Sequence, residues 1–570
     1  MIVARRVYLY AIAFAAIWVL INGIAGLLEV ALEAIVEAAL GPFLSVGSDN
    51  LTDRVSFYGA LTGIGLVVWA IHWGLAARAV ARDPRSEQGS AIRKLYLYGF
   101  LLVGGLVLTF QLRKLLGDLL GVAFGTVGRT DLVNGDVVPP VSMLLAAGAF
   151  VAYHVRQVQR DRVVVPEAGA AATLRRWCIY LLALVGLMML LFGMAGLITR
   201  LFDLAIPVEA ESGDSGRWLA YELGDRLSTV LAGLTTWLFA WSRSTRQHFL
   251  LPGPDSERDS ILRKVYLYAV LLIAVSWTVW NLAQVLYILM RALLIPSDAG
   301  ALWGAVQRDL GGTAAHVLVF GLAWAYHAHV LKREAAATQE LRRQATIRWI
   351  YGYIVAFVGA ATFGSGLVGT LALVLDLLVR PGTTYGEHWW EERLALFATM
   401  IVVGLPIWLL PWLRLQREVG AAEARRSLAR RVYLFLILAI SVLTLLGSGA
   451  YTLYQLLRVA LGDRWTGSDT SSLIDAGSAA TVAALFLAYH LRIFQGDAAL
   501  ARLDEPPVPA VPTPLLPDPP ELVTLLVVRP SGADAAEGLR ARLEGVLPPG
   551  MAVETVRVTE AEAARLLQDR

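Results

Sequence analysis

A six-residue motif, two basic residues followed by tyrosine-rich apolar residues, constrains the fold of this chain more than any other feature. Its first copy is 5–10 (RRVYLY), and every copy opens a long apolar run. Self-similarity at a fixed period indicates that one structural unit is repeated along the chain. The later copies begin at Arg93, Arg175, Arg263, Arg348 and Arg430, of which those at Arg175 and Arg348 are weaker matches, and successive copies lie 82 to 88 residues apart.

The apolar runs have the length of membrane-spanning helices. The chain is 57% hydrophobic and only 17% charged, whereas soluble domains carry about a quarter charged residues. Because a backbone in lipid must satisfy its own hydrogen bonds, runs of about 20 apolar residues predict helices. We predict an all-α polytopic membrane protein of twelve spans, paired as six parallel hairpins. The spans are 7–28, 57–77, 95–116, 138–156, 177–199, 227–242, 265–290, 313–330, 350–373, 394–413, 432–457 and 476–494.

The charges of the connections predict the orientation of the hairpins. Connections between hairpins are basic, as at Arg160 and Arg162, and connections within hairpins lean acidic, as at Glu209 and Glu211. The positive-inside rule then places both termini in the cytoplasm, and we expect a cytoplasmic (inner) membrane protein. The single cysteine, Cys178, excludes an intrachain disulfide and a cysteine-based metal site.

Alternate hairpins resemble each other, which groups the six into three four-helix modules at 1–165, 166–337 and 338–500. The first hairpin of each module has two glycines three residues apart. Its second helix opens with an acidic-Arg pair, and a tryptophan lies fifteen residues after the arginine, at Trp69, Trp241 and Trp408. The second hairpin of each module closes with Ala-Tyr-His.

The end of the chain has a different composition. Eight of the fifteen residues from 506 to 520 are prolines, which predicts a stiff linker over 501–520. Two short apolar runs at 522–528 and 552–558 predict strands in a small cytoplasmic β-α-β-α domain over 521–570. A unit this small is marginally stable alone. We therefore expect it to bind a cytoplasmic protein partner or to self-associate.

The repeated basic-Val-Tyr-Leu-Tyr motif, the two-hairpin module and the Ala-Tyr-His ending together resemble a bacterial membrane family. This is the family of four-helix domains called domain of unknown function 5671, and the resemblance covers about 1–500 three times over. It implies the fold of the modules. It carries no known active residues, so it implies no chemistry.

The repeated glycines and acids have structural and functional interpretations. Small residues on one helix face let helices approach closely in lipid, so helix packing is the favoured role of the glycines and a substrate path is the alternative. The acids follow the second glycine by seven residues, where we expect outer-surface charges that pair with the acidic-Arg pair, or else an acidic vestibule for cations. The glycines are Gly23, Gly26, Gly193, Gly196, Gly366 and Gly369, and the acids are Glu33, Asp203 and Asp376.

The histidines and a polar column are further candidates. His154, His327 and His490 occupy matching places, where an interfacial position is favoured. Proton transfer, lipid head-group binding and a shared metal site are alternatives. His316 lies inside an apolar run without a counterpart. The column Gln111, Asn281 and Ser448, fifteen residues past a tyrosine, is expected to bond between helices or to line a path.

No phosphate-binding loop, zinc motif or nucleophile elbow is present in the sequence. We therefore expect a non-catalytic scaffold or regulatory protein with no catalytic residues, no cofactor and no metal. Its partners would be the bilayer and a protein that meets 521–570, and not nucleic acid, since the basic connections are short. A channel or transporter between pseudo-symmetric modules is the alternative, and an enzyme using the matched histidines is a third.

Overall fold

The computed structural model describes residues 2–40, 51–127, 137–205, 215–250, 260–295, 299–337, 342–380 and 388–503, with 539, 542, 543, 546 and 559. Every regular element in this part of the chain is a helix. The helices are α1 (Ile2–Leu40), α2 (Leu51–Arg82), α3 (Pro84–Gln88), α4 (Ala91–Ala123), α5 (Val138–Val164), α6 (Gly169–Ala205), α7 (Ser215–Leu250), α8 (Ile261–Leu294), α9 (Ala299–Ala337), α10 (Arg342–Val379), α11 (Trp389–Glu418), α12 (Ala422–Arg425), α13 (Leu428–Ala460) and α14 (Gly467–Leu503).

The ends of the helices follow local chemistry. The side chain of Asp83 caps α3 by accepting a hydrogen bond from the Ser86 backbone N–H at 3.2 Å. Ser427 does the same for α13, accepting from the Arg430 N–H. The chain leaves α13 through Gly462, whose φ of +98° favours glycine over any side chain.

Eleven helices in the described ranges are long and apolar enough to cross a membrane. The chain is therefore a multi-pass membrane protein, as predicted, and the described residues support eleven of the twelve predicted spans. The helix that falls short is α7, which contains the predicted span 227–242. Arg226 and Arg243 limit its charge-free stretch to those 16 residues, fewer than the about 20 that a span requires.

Residues 1–499 and 500–570 form two separate compact units. Apart from five isolated residues, 521–570 lies outside the described residues, so the predicted β-α-β-α domain is not supported by the structure. The predicted linker at 501–520 also lies outside them, except for its first three residues, which end α14. The description that follows concerns residues 2–499.

The first hairpin of each module is held together where the repeated glycines lie. A Cβ atom on Gly23 would lie 2.5 Å from the Thr62 backbone nitrogen. The equivalent distances are 3.0 Å from Gly193 to Val230 and 2.9 Å from Gly366 to Ile401. The second glycines face side chains of the same helices, which are Tyr58 for Gly26, Arg226 for Gly196 and Phe397 for Gly369. The absence of side chains on α1, α6 and α10 therefore allows the close approach of α2, α7 and α11.

Successive modules contact each other in the same way. Helix α4 of the first module packs against α6 and α7 of the second, and α8 of the second packs against α10 and α11 of the third. The hydroxyls of Thr109 and Thr236 lie 2.8 Å apart across the first of these contacts. Tyr268 and Tyr351 have ring centroids 5.4 Å apart across the second.

The carboxylate of Glu167, in the connection between α5 and α6, joins the first two modules. It accepts hydrogen bonds from Tyr98 of α4 and Arg175 of α6 and forms an ion pair with Arg162 of α5 at 3.0 Å. Burial acts to raise the pKa of this carboxyl. The hydrogen bonds from Arg162 and Tyr98 outweigh burial, so that the pKa lies below its ordinary value. The carboxylate form is the one that bridges the modules.

We expect Gly23→Leu to lower the free energy of unfolding by about 1–3 kcal/mol, because the new side chain would meet the backbone of α2 and force the two helices apart. The matched control is Gly63→Leu on α2, where nothing lies within 4 Å of the added Cβ. Titration with SDS in mixed micelles would measure both variants. Equal losses for the two variants would contradict close packing at Gly23.

Candidate functional site

An ion pair with a buried arginine lies near one end of each module. In the first module the Arg93 guanidinium donates to both carboxylate oxygens of Asp161, at 2.8 and 3.0 Å. In the second, Arg263 and Lys264 each donate to Glu334 at 2.7 Å. The basic partner comes from the start of the third helix of its module and the acid from the fourth. The equivalent pair of the third module is Arg430 and Asp497, at 2.9 Å, in which the arginine is buried and the aspartate is partly exposed.

The arginine of each pair is also held by aromatic side chains from the first hairpin. Its guanidinium lies over a tryptophan ring, with centroid distances of 5.3 Å to Trp73, 4.9 Å to Trp241 and 5.8 Å to Trp412. Arg93 further donates to the Tyr10 hydroxyl, as Arg430 does to Tyr353, both at 3.2 Å. Cation–π contacts and hydroxyl acceptors stabilise a charge that has been removed from water.

The same tryptophans donate to the tyrosines of the Ala-Tyr-His ending. The indole N–H of Trp73 donates to the Tyr153 hydroxyl at 2.6 Å. In the later modules Trp241 donates to Tyr326 at 3.0 Å and Trp412 donates to Tyr489 at 2.7 Å. The motif tyrosines pack beside them, with ring centroids 5.4 Å apart in each module. These pairs are Tyr10–Tyr96, Tyr180–Tyr266 and Tyr353–Tyr433.

The matched histidines complete the arrangement. The ring Nδ1 of His154 lies 2.8 Å from the Phe150 carbonyl oxygen and the ring Nε2 lies 3.0 Å from the Tyr96 hydroxyl. His490 repeats both contacts, with its Nε2 at 3.4 Å from Tyr433. His327 keeps the contact to its own helix, at 2.8 Å from the Ala323 carbonyl oxygen. Among the described residues, its Nε2 has no hydrogen-bond partner.

We call this set the arginine–histidine cluster. In the first module it comprises Tyr10, Trp73, Arg93, Tyr96, Tyr153, His154 and Asp161. The cluster takes side chains from all four long helices, namely α1, α2, α4 and α5. Most of its donors and acceptors are used by other members of the cluster. Such a network can fix how four helices meet, and it leaves few groups for a substrate.

The cluster corrects the expected position of the histidines. The sequence favoured the lipid interface, but the exposed fractions are 0% for His154, 1% for His327 and 0% for His490. Each histidine faces the interior of its own module. The three histidines also do not form a shared metal site, because no group of three metal-binding side chains is present within the described ranges.

The repeated acids do not share one arrangement. Glu33 pairs with Arg54 of the next helix at 2.6 Å, as expected. Asp203 instead pairs with Arg200 of its own helix at 2.9 Å, and Asp376 receives a hydrogen bond at 2.9 Å from Arg380, the residue that follows the end of α10. The expected pairing with the acidic-Arg pair is therefore wrong for the second and third modules. Asp376 is also only 5% exposed and lines a cavity.

The other predicted residues make local contacts. Asn281 donates to the Trp277 carbonyl oxygen of its own helix at 2.8 Å, and His316 lies 2.8 Å from the Gly312 carbonyl oxygen. Gln111 and Ser448 are half-buried. In the described part of the chain no hydrogen bond joins the members of the Gln111, Asn281 and Ser448 column.

The predicted tryptophan column is shifted by one helical turn in the second module. The second glycine of each module faces Tyr58, Arg226 or Phe397, so these three residues occupy equivalent places. Counting along the sequence instead matches Arg226 to Arg54 and Arg393. The equivalent tryptophans of the three modules therefore form two sets. The first set is Trp69, Trp237 and Trp408, and the second is Trp73, Trp241 and Trp412. The hydrogen bonds to Tyr153, Tyr326 and Tyr489 establish the second of these sets.

Sequence reasoning missed the acid of the cluster. Asp161, Glu334 and Asp497 each follow the matched histidine by seven residues, which is two helical turns along the same face. That spacing was visible in three copies. The acids lie among the basic residues of the connections, and no role is predicted for them from the sequence.

A comparison with protein-family models gives three matches to one family, described as Domain of unknown function (DUF5671), at residues 6–149, 176–299 and 350–486. These stretches cover more than half of the chain. The chain belongs to this family. The predicted membership is thus confirmed, with one DUF5671 match in each of the three modules. Searches of the curated proteins and of the solved structures found no match.

We expect Asp497→Leu to lower the free energy of unfolding by about 3–5 kcal/mol, because it leaves the buried Arg430 guanidinium without its partner. Arg430→Met should cost less, because the Asp497 side chain that it leaves is 16% exposed. The double variant should lose less than the sum of the two, since it leaves neither charge unpaired. A double-mutant cycle by SDS titration measures this coupling.

The control for that cycle is Asp463→Asn. Asp463 pairs with Arg458, but it is 53% exposed, and its removal should leave the unfolding free energy nearly unchanged. Additive losses at Arg430 and Asp497 would show that the pair does not stabilise the third module.

Proposed function

We propose that this DUF5671 protein is a non-catalytic membrane scaffold or regulatory protein whose C-terminal unit binds a cytoplasmic protein. The observation that supports the proposal most is the arginine–histidine cluster. It is the most extensive polar arrangement repeated in all three modules, and its side chains bond mainly to each other. Groups that serve catalysis are instead placed where a substrate can reach them.

The burial of the cluster supports the same proposal. Arg93, Asp161 and His154 are each at most 3% exposed, so that neither a substrate nor bulk water has direct access to them. A network of this kind stabilises one arrangement of four helices in each module. A rigid membrane frame that carries a separate unit at 500–570 suits a protein that positions a partner.

The test is a deletion of 521–570. Affinity purification after chemical crosslinking in the native membrane should recover a protein partner, or a second copy of the chain, with the full chain and not with the deletion. Residues 1–499 form their own compact unit, so the deletion should keep its melting temperature.

A full chain in which 506–520 is replaced by a glycine–serine linker of equal length is the matched control, and it should retain the partner. Recovery of the same partner by the deleted chain would contradict the role of the tail. A substrate turned over by the purified protein would contradict the non-catalytic proposal.

We further propose that α7 is a twelfth span and that both termini lie on the cytoplasmic side of the inner membrane. Two observations support a span despite the short charge-free stretch of α7. Its backbone approaches α6 at Gly186, Gly193 and Gly233 as α2 and α11 approach their partners, and basic residues gather in the connections on one side of the hairpins.

The topology is tested by single cysteines in a Cys178→Ser background. A cysteine at 254 should react with maleimide reagents only after the inner face is opened, and a cysteine at 212 should react in intact cells. If α7 did not cross the membrane, both positions would lie on the same side and would label together.

A further inference from the structure

A cavity of about 610 Å³ lies inside the third module, between α10, α11, α13 and α14. Its volume is within the range of small-molecule sites, about 300–1,000 Å³. The wall is mostly apolar and includes Phe357, Ile437 and Phe486 toward one end. The other end is charged, with Asp376, Arg393 and Asp475.

Small residues on α10 produce the cavity. The first-helix positions of the three modules can be matched through Tyr10, Tyr180 and Tyr353, which occupy equivalent places in the cluster. Seven, eight and eleven residues further along, the first module has Ile17, Trp18 and Ile21, and the second has Leu187, Met188 and Leu191. The third module has Ala360, Ala361 and Gly364 at these places.

The large residues fill the corresponding space in the other modules. Ile17 and Ile21 are both 0% exposed, and Trp18 stacks on Phe100 of α4 with ring centroids 5.2 Å apart. The equivalent of Phe100 is Val270 in the second module and Ile437 in the third, so the small residues of α10 are what set the third module apart. The third module therefore has the same arginine–histidine cluster as the other two modules. It lacks the large side chains that fill the space between the helices next to the cluster.

The cavity follows α10 for most of a membrane thickness. Its lining extends from Phe357 to Asp376, which at 1.5 Å per residue is about 28 Å along the helix. All four helices around it are candidate spans. The medium that reaches a half-open cavity in these helices is lipid, and an apolar length with one charged end matches an amphipathic molecule.

The charged end opens to the surface, where the exposed side chains of Arg393 and Asp475 carry opposite charges without a hydrogen bond between them. Asp376 is occupied by Arg380. The Arg393 guanidinium lies over the Trp389 ring at 5.6 Å, and among the described residues neither Arg393 nor Asp475 has an ion-pair or hydrogen-bond partner. A ligand that carries both a negative and a positive group would satisfy the two side chains together.

We propose that the third module binds one phospholipid with a phosphoethanolamine head group. The phosphate lies on Arg393, the ammonium group lies on Asp475, and an acyl chain runs between α10, α13 and α14 toward Phe357. The site is specific to the third module, and it does not depend on the scaffold role proposed for the protein.

The test uses the full chain in nanodiscs that contain equal amounts of phosphatidylethanolamine and phosphatidylglycerol. Native mass spectrometry after gentle release should show one retained phosphatidylethanolamine. The variant Ala361→Trp with Gly364→Ile introduces the residues of the first module at two of the three positions and should lose the retained lipid. Leu378→Trp, on a residue of α10 that is 71% exposed, is the matched control and should keep it.

Head-group variants test the orientation of the lipid. Asp475→Asn should reduce the preference for phosphatidylethanolamine over phosphatidylglycerol about tenfold, the scale of one charge-assisted hydrogen bond. Arg393→Gln should weaken the retention of both lipids. Both positions lie at the end of the cavity, so these variants decide the proposal even if the filled variant fails to fold.

Three results would overturn the proposal. An unchanged lipid count in the filled variant would mean that the retained lipid lies on the outer surface. Equal retention of the two lipids by the unmodified chain would show that the head group is not recognised. Recovery of a quinone or another uncharged amphiphile from the cavity would assign the site to a different ligand.

Discussion

The structure of each module depends on one buried ion pair. Removing a guanidinium and a carboxylate from water costs several kcal/mol for each charge, so that the two must lie together and be hydrogen-bonded. Arg93 and Asp161 meet this requirement with two direct hydrogen bonds, a tryptophan face and a tyrosine hydroxyl. Because these partners come from all four helices, the charges can be satisfied only when the module is assembled.

Features that follow from the spacing of residues could be predicted from the sequence, whereas features that depend on which charged side chains are buried could not. Span length and the repeat gave the helices, the modules and the glycine contacts, because these features need only spacing and residue size. The role of Arg93 and Lys94 was not predicted. A basic residue at the end of a span looks the same in sequence whether it faces water or a carboxylate, and only the acid seven residues after each histidine distinguishes the two cases.

The error in the tryptophan column has a related physical reason. Counting without gaps from Arg226 placed Trp241 beside Trp69 and Trp408, because an arginine stands in the second module where Tyr58 and Phe397 stand in the others. Residues four apart lie on the same face of a helix, so Trp237 and Trp241 both face the same way on α7 and either can be taken for the equivalent of Trp69. Contacts across the hairpin, and not spacing along it, determine which residues are equivalent.

The three modules are alike at the cluster and differ beyond it. At the end of the module far from the cluster, the acids Glu33, Asp203 and Asp376 form different ion pairs. Only the third module replaces large interior residues with small ones, which are Ala360, Ala361 and Gly364. The cluster holds the four helices together at one end, so side chains at the other end can be replaced without separating the charges of the ion pair. Differences in function among the modules are therefore to be sought in the half farther from the cluster, where the interior side chains can change without altering how the helices meet at the cluster.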